Sequence, residues 1–499
     1  MLDELIDNEN NKFENQEVIN QEVFIPPNLS ENNVNDNFIR LNISNSSLNE
    51  EKKMYHKDLI LLMLSYTLIY FLPIFCLLIN LLFLSFKVTT LSFEVVEALG
   101  AANLYINVFF ISICFGINFP FDYFGGNAFG SNKLRVFGKI FLVSIIFTIA
   151  ISVVVIIPSY FVGTKLLNIF MSSADSKTNL EKYFYPALLA AFIQVNNIPN
   201  IKYLIIGRKL TFLIIINLII ITINVTSNAV FILILNLGLP GCAYANILTF
   251  LLQYVISTIY IFAVKPYTAS IIGLTTKDCH YFSSYIISSI PSILLTFLMT
   301  VAYETISVFL LNKNEIEFSA FIIQNIISSS ILIISISMES AMAVIISEFD
   351  PKMEKKLIFN KVLPFSFLIN IIIILLTCVV VVILSYTLTS FFNVIETVFN
   401  AYKGNMWFFI IYTIIQSNVN IFHGCFRGIG KFLVPNIINI CIICLINVPL
   451  AYVFIYILNM SLKGVWISFI SCSGLNIIVL SISLIIFYNQ LSQSDIKEE

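Results

Sequence analysis

The chain has 499 residues, of which 58% are hydrophobic and 11% are charged, and its mean hydropathy is +0.91. A soluble globular protein carries roughly 25% charged residues, so the composition excludes a soluble domain. The net charge of −2 says nothing about partners, because most charges are confined to loops and tails, and no basic patch of the kind that binds nucleic acid is present.

The predicted elements begin with a polar tail and continue as long apolar runs. Residues 1–57 are rich in Asn, Glu and Asp, and we expect a disordered cytosolic tail because such a segment buries too little apolar surface to fold. The later runs exceed the roughly 20 residues that a helix needs to cross a bilayer. They predict an all-α membrane protein with twelve transmembrane helices, over residues 59–86, 94–122, 134–161, 181–206, 209–236, 240–264, 282–311, 317–346, 358–389, 404–427, 432–458 and 464–489.

An internal repeat relates the two halves of the chain. Residues 207–241 align without a gap to residues 430–464, and glycines, asparagines and phenylalanines stay in register: Gly207/Gly430, Asn224/Asn447, Phe231/Phe454, Asn236/Asn459 and Gly241/Gly464. Six helices in each half would make the halves parallel, related by a pseudo-two-fold axis along the membrane normal. The sequence therefore predicts two six-helix lobes.

The most polar internal connector, residues 265–281, separates these halves. The predicted organisation is a tail over 1–57, an N-lobe over 58–264, a cytosolic linker over 265–281, a C-lobe over 282–490 and a cytosolic tail over 491–499. Lysine and arginine concentrate in alternate connections, which predicts that both termini are cytosolic. The pattern does not distinguish the plasma membrane from an organelle membrane.

One carboxyl group stands out inside a predicted helix. No hydrolase, kinase or metal motif is present and the three histidines are scattered, so neither an enzyme nor a metal or other cofactor is predicted. Glu304 lies within the apolar run of helix seven. A carboxylate in a bilayer is costly unless it is protonated, paired or hydrated, and Glu304 is therefore predicted to couple proton flow to transport. The alternative is an acid near a helix end that reaches outer water.

Amide and phenol side chains inside the apolar runs are candidates for a substrate cavity: Tyr303, Gln194, Asn197, Asn200, Asn80, Gln324, Asn325 and Gln416. Interhelical hydrogen bonding is the alternative for each amide. The amides of helix four are dense enough to suggest a hydrated face, and Pro186 and Pro199 predict that this helix is kinked or broken. Glu339 is interpreted as a structural residue that pairs with a lysine of 352–361.

Several short motifs resemble the multidrug and toxic compound extrusion (MATE) family. The run from His423 to Lys431, HGCFRGIGK, with Asn447-Val-Pro-Leu-Ala-Tyr452 after it, resembles the second lobe of that family. Val301-Ala-Tyr-Glu304 resembles the helix-seven carboxylate motif of its eukaryotic branch. The resemblance implies two lobes forming a V that opens alternately to each side. It also implies export of organic cations or other amphiphiles against protons or sodium, with Glu304 as the coupling residue.

The sequence departs from the family where other acids are expected. Met299, Asn325 and Gln416 stand at positions where the family often has a carboxylate, and Asn80 is the polar residue nearest to its helix-one acid. Fewer acids weaken recognition of polyvalent cations, and a single carboxylate favours the proton over sodium as the coupling ion.

The predicted function is therefore a secondary active antiporter for multidrug efflux by alternating access. It is predicted to be a monomer in the lipid bilayer, and its predicted partner is a small molecule and not a nucleic acid. The alternatives are a lipid-linked oligosaccharide flippase of the same superfamily and an uncoupled facilitator. Such flippases usually have a more cationic cavity and often fourteen helices. The missing acids leave the uncoupled facilitator as an alternative function.

Overall fold

The computed structural model describes residues 36–87, 93–168, 173–270, 279–348, 358–391, 396–431 and 433–498. Tyr55–Glu499 form one compact unit, separate from Met1–Met54. The twelve long helices are α1 Asp36–Lys87, α2 93–130, α3 Leu134–Leu167, α4 Ala174–Ile206, α5 Leu210–Ile234, α6 Leu239–Val264, α7 Cys279–Lys313, α8 Glu315–Ser347, α9 358–391, α10 Glu396–Gly428, α11 Leu433–Ile457 and α12 Ser461–Glu498. The predicted fold class, twelve helices in two six-helix lobes, is confirmed.

Helix ends differ from the predicted ones in several places. The structure describes α1 from Asp36, within the segment predicted to be a disordered tail, whereas residues 1–35 lie outside the described residues. Helix α2 continues to Gly130 and α12 continues to Glu498. Of the predicted linker, Thr268–Ser270 form a short 3₁₀ turn, and residues 271–278 lie outside the described residues.

Helix α4 is continuous through both of its prolines, so of the predicted kink or break in helix four, the break does not occur. A proline inside a helix removes one backbone hydrogen bond, and neighbouring helices compensate for this loss in a packed bundle. Helix α4 has such neighbours, since it packs against α2, α3 and α6. Its repeat, α10, packs in the same way against α8, α9 and α12. Helices α4 and α10 are less apolar than the other ten long helices. Those ten are long and apolar enough to cross a membrane.

The internal repeat has the same structural roles in both lobes. Asn236 and Asn459 both adopt left-handed backbone angles, with φ of 56° and 52°, just after helices α5 and α11. Gly241 packs against Phe231 in the N-lobe, and Gly464 packs against Phe454 in the C-lobe. The residues that stay in register in the sequence therefore make equivalent contacts, as a duplicated bundle requires.

The apolar cores show where the lobes meet. We call the face that carries the turns at 131–133, 207–209 and 429–431 the inner face, since the positive-charge bias predicts that it is cytosolic, and the opposite face the outer face. Near the inner face, one buried cluster joins both lobes, with Phe121 and Tyr203 from one and Met338 and Phe426 from the other. Toward the outer face, each lobe has a core of its own. The lobes are therefore packed together at the inner face and separate toward the outer face.

Candidate functional site

Glu304 lies on the side of α7 that faces the N-lobe. On that side, α7 approaches α2 so closely that a Cβ on Gly116 would lie 2.6 Å from Cα of Ile293, and the rings of Phe297 and Phe109 are 6.0 Å apart. Glu304 follows Ile293 by eleven residues and Phe297 by seven, and both intervals return to nearly the same side of an α-helix. The Glu304 side chain therefore faces the cleft between the lobes, beyond the last of these contacts toward the outer face.

The Glu304 carboxylate is half-buried, and no hydrogen bond or ion pair joins it to any residue that the structure describes. A carboxyl group in this position inside a membrane span is a functional candidate by default. No cation among the described residues lies close enough to pair with it.

Tyr303, the preceding residue, points away from the cleft into the C-lobe. Its hydroxyl lies 3.3 Å from that of Tyr412 on α10, and its ring packs 5.2 Å from the ring of Phe469 on α12. Tyr303 and Glu304 therefore serve different sides of α7, as the 100° step between adjacent residues of a helix requires.

Tyr303 lines a small polar cavity inside the C-lobe, with a volume of about 10 Å³, enough for about one water molecule. Its polar lining is Tyr303, Gln416, Asn439, Asn447, Ser473 and Asn476. The amide of Asn476 donates to Oδ1 of Asn439 at 2.7 Å, but the buried Oδ1 atoms of Asn447 and Asn476 have no protein partner. The structure therefore brings together Tyr303 and Gln416 of the predicted cavity, in a site with no carboxylate in its lining.

The amides predicted on helix four make interhelical bonds within the N-lobe. Asn197 Oδ1 accepts from the hydroxyl of Ser257 at 2.7 Å, and the amide of Asn200 donates to the hydroxyl of Thr258 at 2.9 Å. Both partners are on α6. Gln194 is half-buried one turn farther toward the outer face. Asn197 and Asn200 therefore make the interhelical hydrogen bonds that were the alternative to a hydrated face.

The remaining predicted cavity residues lie apart from one another. Gln324 is fully buried, where its amide donates to the Tyr402 carbonyl and its Oε1 accepts from the indole of Trp466. Its neighbour Asn325 is exposed on α8. Asn80 is fully buried on α1, and both polar atoms of its side chain lack a protein partner. Gln324 therefore packs the C-lobe core, whereas the amide of Asn80 is left for a water or a small ligand.

A second cluster of charged residues lies near the inner face. Asp122 on α2 accepts hydrogen bonds from Nζ of Lys202 on α4 at 2.7 and 2.8 Å. The same carboxylate forms an ion pair with Arg427 on α10. The other side of the Arg427 guanidinium donates to Oε1 of Glu339 on α8 at 2.6 Å. All four residues are at most 9% exposed. The cluster is thus a buried chain of alternating charges that crosses from one lobe to the other.

A further ion pair joins the lobes at the rim of the inner face. Arg208, in the turn after α4, lies 2.8 Å from a carboxylate oxygen of Glu348, just beyond the end of α8. Burial, which outweighs the attraction of Arg208, raises the pKa of Glu348 to about 7, and the nearby Asp58 adds to that rise.

The contacts of these charged residues differ from those predicted from the sequence. Glu339 was predicted to pair with a lysine of 352–361, but its partner in the structure is Arg427. In the sequence, Lys202 contributes to the positive-charge bias, Arg427 contributes to that bias and to the HGCFRGIGK motif, and Asp122 has no predicted role. Pro120-Phe-Asp122 near the end of an apolar run was the available signal, because an acid there requires a cation nearby. Among the described residues, no group of His, Cys, Asp and Glu could hold a metal ion.

Comparison with known proteins agrees with this architecture. A family model described as MatE matches residues 291–453. The multidrug and toxin extrusion protein 2 of Oryctolagus cuniculus is 22% identical over 329 residues, which cover 64% of this chain and 51% of that protein. The Homo sapiens protein of the same name is 22% identical over 254 residues, covering 50% of this chain and 41% of that protein. The chain spans about half the length of the curated relatives it matches.

Solved structures match over most of the chain. The crystal structure of the eukaryotic MATE transporter AtDTX14 superposes with a TM-score of 0.78 at 15% identity, covering 89% of this chain and 98% of that chain. A structure described as the outward-facing conformation of a multidrug resistance MATE transporter gives a TM-score of 0.75 at 16% identity, covering 88% and 97%. At these identities the likeness shows the fold alone.

Two lobes that share a core at one face and have separate cores toward the other, built from helices long and apolar enough to cross a bilayer, describe a multi-pass membrane protein. The family model in the C-lobe, the curated relatives and the fold agree with the motifs in the sequence. The chain is therefore similar to the multidrug and toxic compound extrusion family in its C-lobe sequence and in its fold.

Proposed function

We propose that the protein is a secondary antiporter that exports organic cations or other amphiphilic small molecules in exchange for protons, and that Glu304 carries the proton. The observation that supports this most directly is the position of Glu304, a carboxyl group without a partner among the described residues, on the cleft side of α7. The names of the curated relatives, multidrug and toxin extrusion proteins, support the substrate class.

In the proposed cycle, Glu304 takes up a proton from the outer side while the cleft is open there. The neutral form tolerates the less hydrated surroundings of a closed cleft better than the ionised form, so protonation favours the change to the state open at the inner face. Loss of the proton to the inner side and binding of substrate then reset the cycle. Both ligands act through the same equilibrium between two states, which is what exchange requires.

The proton is a better candidate than sodium because the ligands for sodium are few. Sodium requires several oxygen ligands, but Glu304 has no hydrogen-bonding neighbour among the described residues, and the lining of the C-lobe cavity has amide and hydroxyl groups without a carboxylate. A single carboxyl group is sufficient to carry a proton.

Substitution of Glu304 by Gln tests the proposal. Gln keeps the size of the side chain but cannot lose a proton. Proton-driven efflux of a fluorescent organic cation from proteoliposomes should therefore fall at least about a hundredfold, the lower end of the range for loss of a proton-transfer group. Glu181→Gln is the matched control, because Glu181 lies outside the cleft near Asn168; it should keep wild-type efflux.

Uphill export by the Glu304→Gln protein at the wild-type rate would exclude Glu304 as the coupling residue. Counterflow assays under an imposed pH gradient separate antiport from facilitation. Wild-type flux that does not respond to the gradient would favour an uncoupled facilitator.

A further inference from the structure

We propose that the ion pair between Asp122 and Arg427 is the inner gate of the transporter, and that opening this gate leaves one neutral ion pair in each lobe. The proposal rests on the proposed function only in that it takes the lobes to separate at the inner face. It concerns residues that are distant from Glu304 and that no step of the proton cycle above uses.

The four charged residues are divided evenly between the lobes. Asp122 and Lys202 belong to α2 and α4 of the N-lobe, whereas Glu339 and Arg427 belong to α8 and α10 of the C-lobe. Of the three ion pairs in the cluster, Lys202–Asp122 and Arg427–Glu339 are each within one lobe. Only Arg427–Asp122 crosses the interface. Within this cluster, separation of the lobes would therefore break one ion pair and keep two.

The pair within the N-lobe has additional support. The Lys202 ammonium contacts both carboxylate oxygens of Asp122 and also donates to the backbone carbonyl of Asn118 at 2.9 Å. All of these contacts are between α2 and α4. When Arg427 leaves, Asp122 therefore keeps a cation that is already bonded to the same helix, and no uncompensated buried carboxylate remains.

The pair within the C-lobe is fixed by close helix packing. Gly424 brings α10 so near to α8 that a Cβ there would lie 2.6 Å from the Glu339 backbone oxygen. Glu339 and Arg427 are thus held on two helices in backbone contact, and a rigid movement of the C-lobe would carry them together. The Arg427 guanidinium also lies 4.3 Å from the centre of the Phe119 ring of α2, a contact that would break together with the ion pair to Asp122.

Hydrogen bonds beside the cluster cross the same interface. The hydroxyls of Tyr70 on α1 and Ser340 on α8 are 3.1 Å apart, and the hydroxyl of Ser347 on α8 donates to the backbone oxygen of Asp122 at 3.4 Å. These neutral contacts exchange readily for water. The Asp122–Arg427 ion pair is the strongest contact of this group because charge-assisted hydrogen bonds are about twice as strong as neutral ones.

Two double variants test the gate without leaving an isolated charge. Glu339→Gln/Arg427→Gln removes the C-lobe pair, and Asp122→Asn/Lys202→Gln removes the N-lobe pair. Each deletes the ion pair across the interface and keeps the neutral pair in the other lobe. Each should raise the ratio of inner-open to inner-closed molecules at least about tenfold, the lower end of coupling measured for close charge pairs at interfaces.

The ratio can be measured by electron–electron distance spectroscopy in lipid nanodiscs, with spin labels at Ser131→Cys and Asn360→Cys. Both positions are exposed near the inner face, one in each lobe. The exposed Cys441 and the half-buried Cys444 are first replaced by Ser. The control is Asn217→Leu/Gln253→Leu, which removes a buried amide pair within the N-lobe and should leave the distance distribution unchanged.

Unchanged distances in both double variants would overturn the proposal. Failure of both variants to fold would also overturn it, because the cluster would then serve stability alone. Because the distances do not depend on substrate or on a proton gradient, the gate and the role of Glu304 can fail independently.

Discussion

At the scale of single residues, Asp122 is the carboxylate that joins the charged residues of the two lobes. It is fully buried and shared between two cations, one from each lobe. We expect Asp122→Asn to destabilise the protein by about 3 kcal/mol or more, because Lys202 then stays buried without its carboxylate. Thermal unfolding in detergent, followed by light scattering and intrinsic fluorescence, measures the loss.

The companion variant Asp122→Asn/Lys202→Gln should regain most of that stability, because no uncompensated charge remains in the N-lobe. If the single and the double variant were equally unstable, the loss would come from packing rather than from an isolated charge.

Glu304 and Asp122 show what a sequence reveals about buried acids. Glu304 is visible because it is a lone carboxyl group in the middle of an apolar run, and its neighbours match a known motif. Asp122 lies at the end of a predicted helix, and its partners are 80 and 305 positions away in the chain. Nothing in one sequence relates residues across such intervals, so the cluster depends on the packing of four helices and only the structure identifies it.

At the scale of helices, the closest approach of α2 and α8 offers a covalent test of gating. A Cβ added at Gly126 would lie 3.3 Å from Cβ of Ser347, close to the Cβ separation of about 3.5–4.5 Å in disulfides. We expect Gly126→Cys/Ser347→Cys to form a disulfide under mild oxidation that holds the inner face closed. Transport in proteoliposomes should then stop, and a reductant should restore it.

The single variants Gly126→Cys and Ser347→Cys should respond to neither treatment, which separates the cross-link from damage to the native cysteines. Full transport by the oxidised double variant, with the cross-link verified by mass spectrometry, would show that the inner ends of α2 and α8 do not separate.

The helices also show where local sequence signals suffice. The repeat correctly predicted two equivalent lobes because its glycines and asparagines occupy positions that few other residues can take. Asn236 and Asn459, for example, both adopt a positive φ. The two prolines of α4 lie within a continuous helix. Their effect depends on whether neighbouring helices support the chain, and the buried central position of α4 could not be seen in one sequence.

At the scale of the whole molecule, Glu304 and the inner gate are too far apart to interact directly. Thr296 of α7 donates to the backbone oxygen of Ser112 on α2 at 2.8 Å, near the middle of the cleft. Glu304 lies eight residues beyond Thr296 toward the outer face, and Asp122 lies ten residues beyond Ser112 toward the inner face. At 1.5 Å per residue this separates them by roughly 25 Å along the bundle. Any coupling between them must therefore act through movement of the lobes.

We expect the ion pair between Arg208 and Glu348, at the rim of the inner face, to make separation of the lobes sensitive to pH on the inner side. The pKa of Glu348 is about 7 in the closed state because burial disfavours its charged form more than Arg208 favours it. In the open state the carboxyl group meets water, and its pKa returns toward the ordinary value of 4.5. The closed state therefore binds a proton more tightly than the open state. Acidification between these two pKa values stabilises the closed state. This holds even though protonation neutralises the carboxylate partner of Arg208.

Lowering the pH from 8 to 6 should thus increase the closed-to-open ratio about tenfold, as these two pKa values require. Spin-label distances between Ser131→Cys and Asn360→Cys measure the ratio. Glu348→Gln, which is neutral at every pH, should remain at the acidic limit and lose most of the pH response, whereas Glu317→Gln, near Leu462 at the outer face, should keep it. A shift toward the open state on acidification would mean that the ion pair, and not burial, dominates the energy of Glu348.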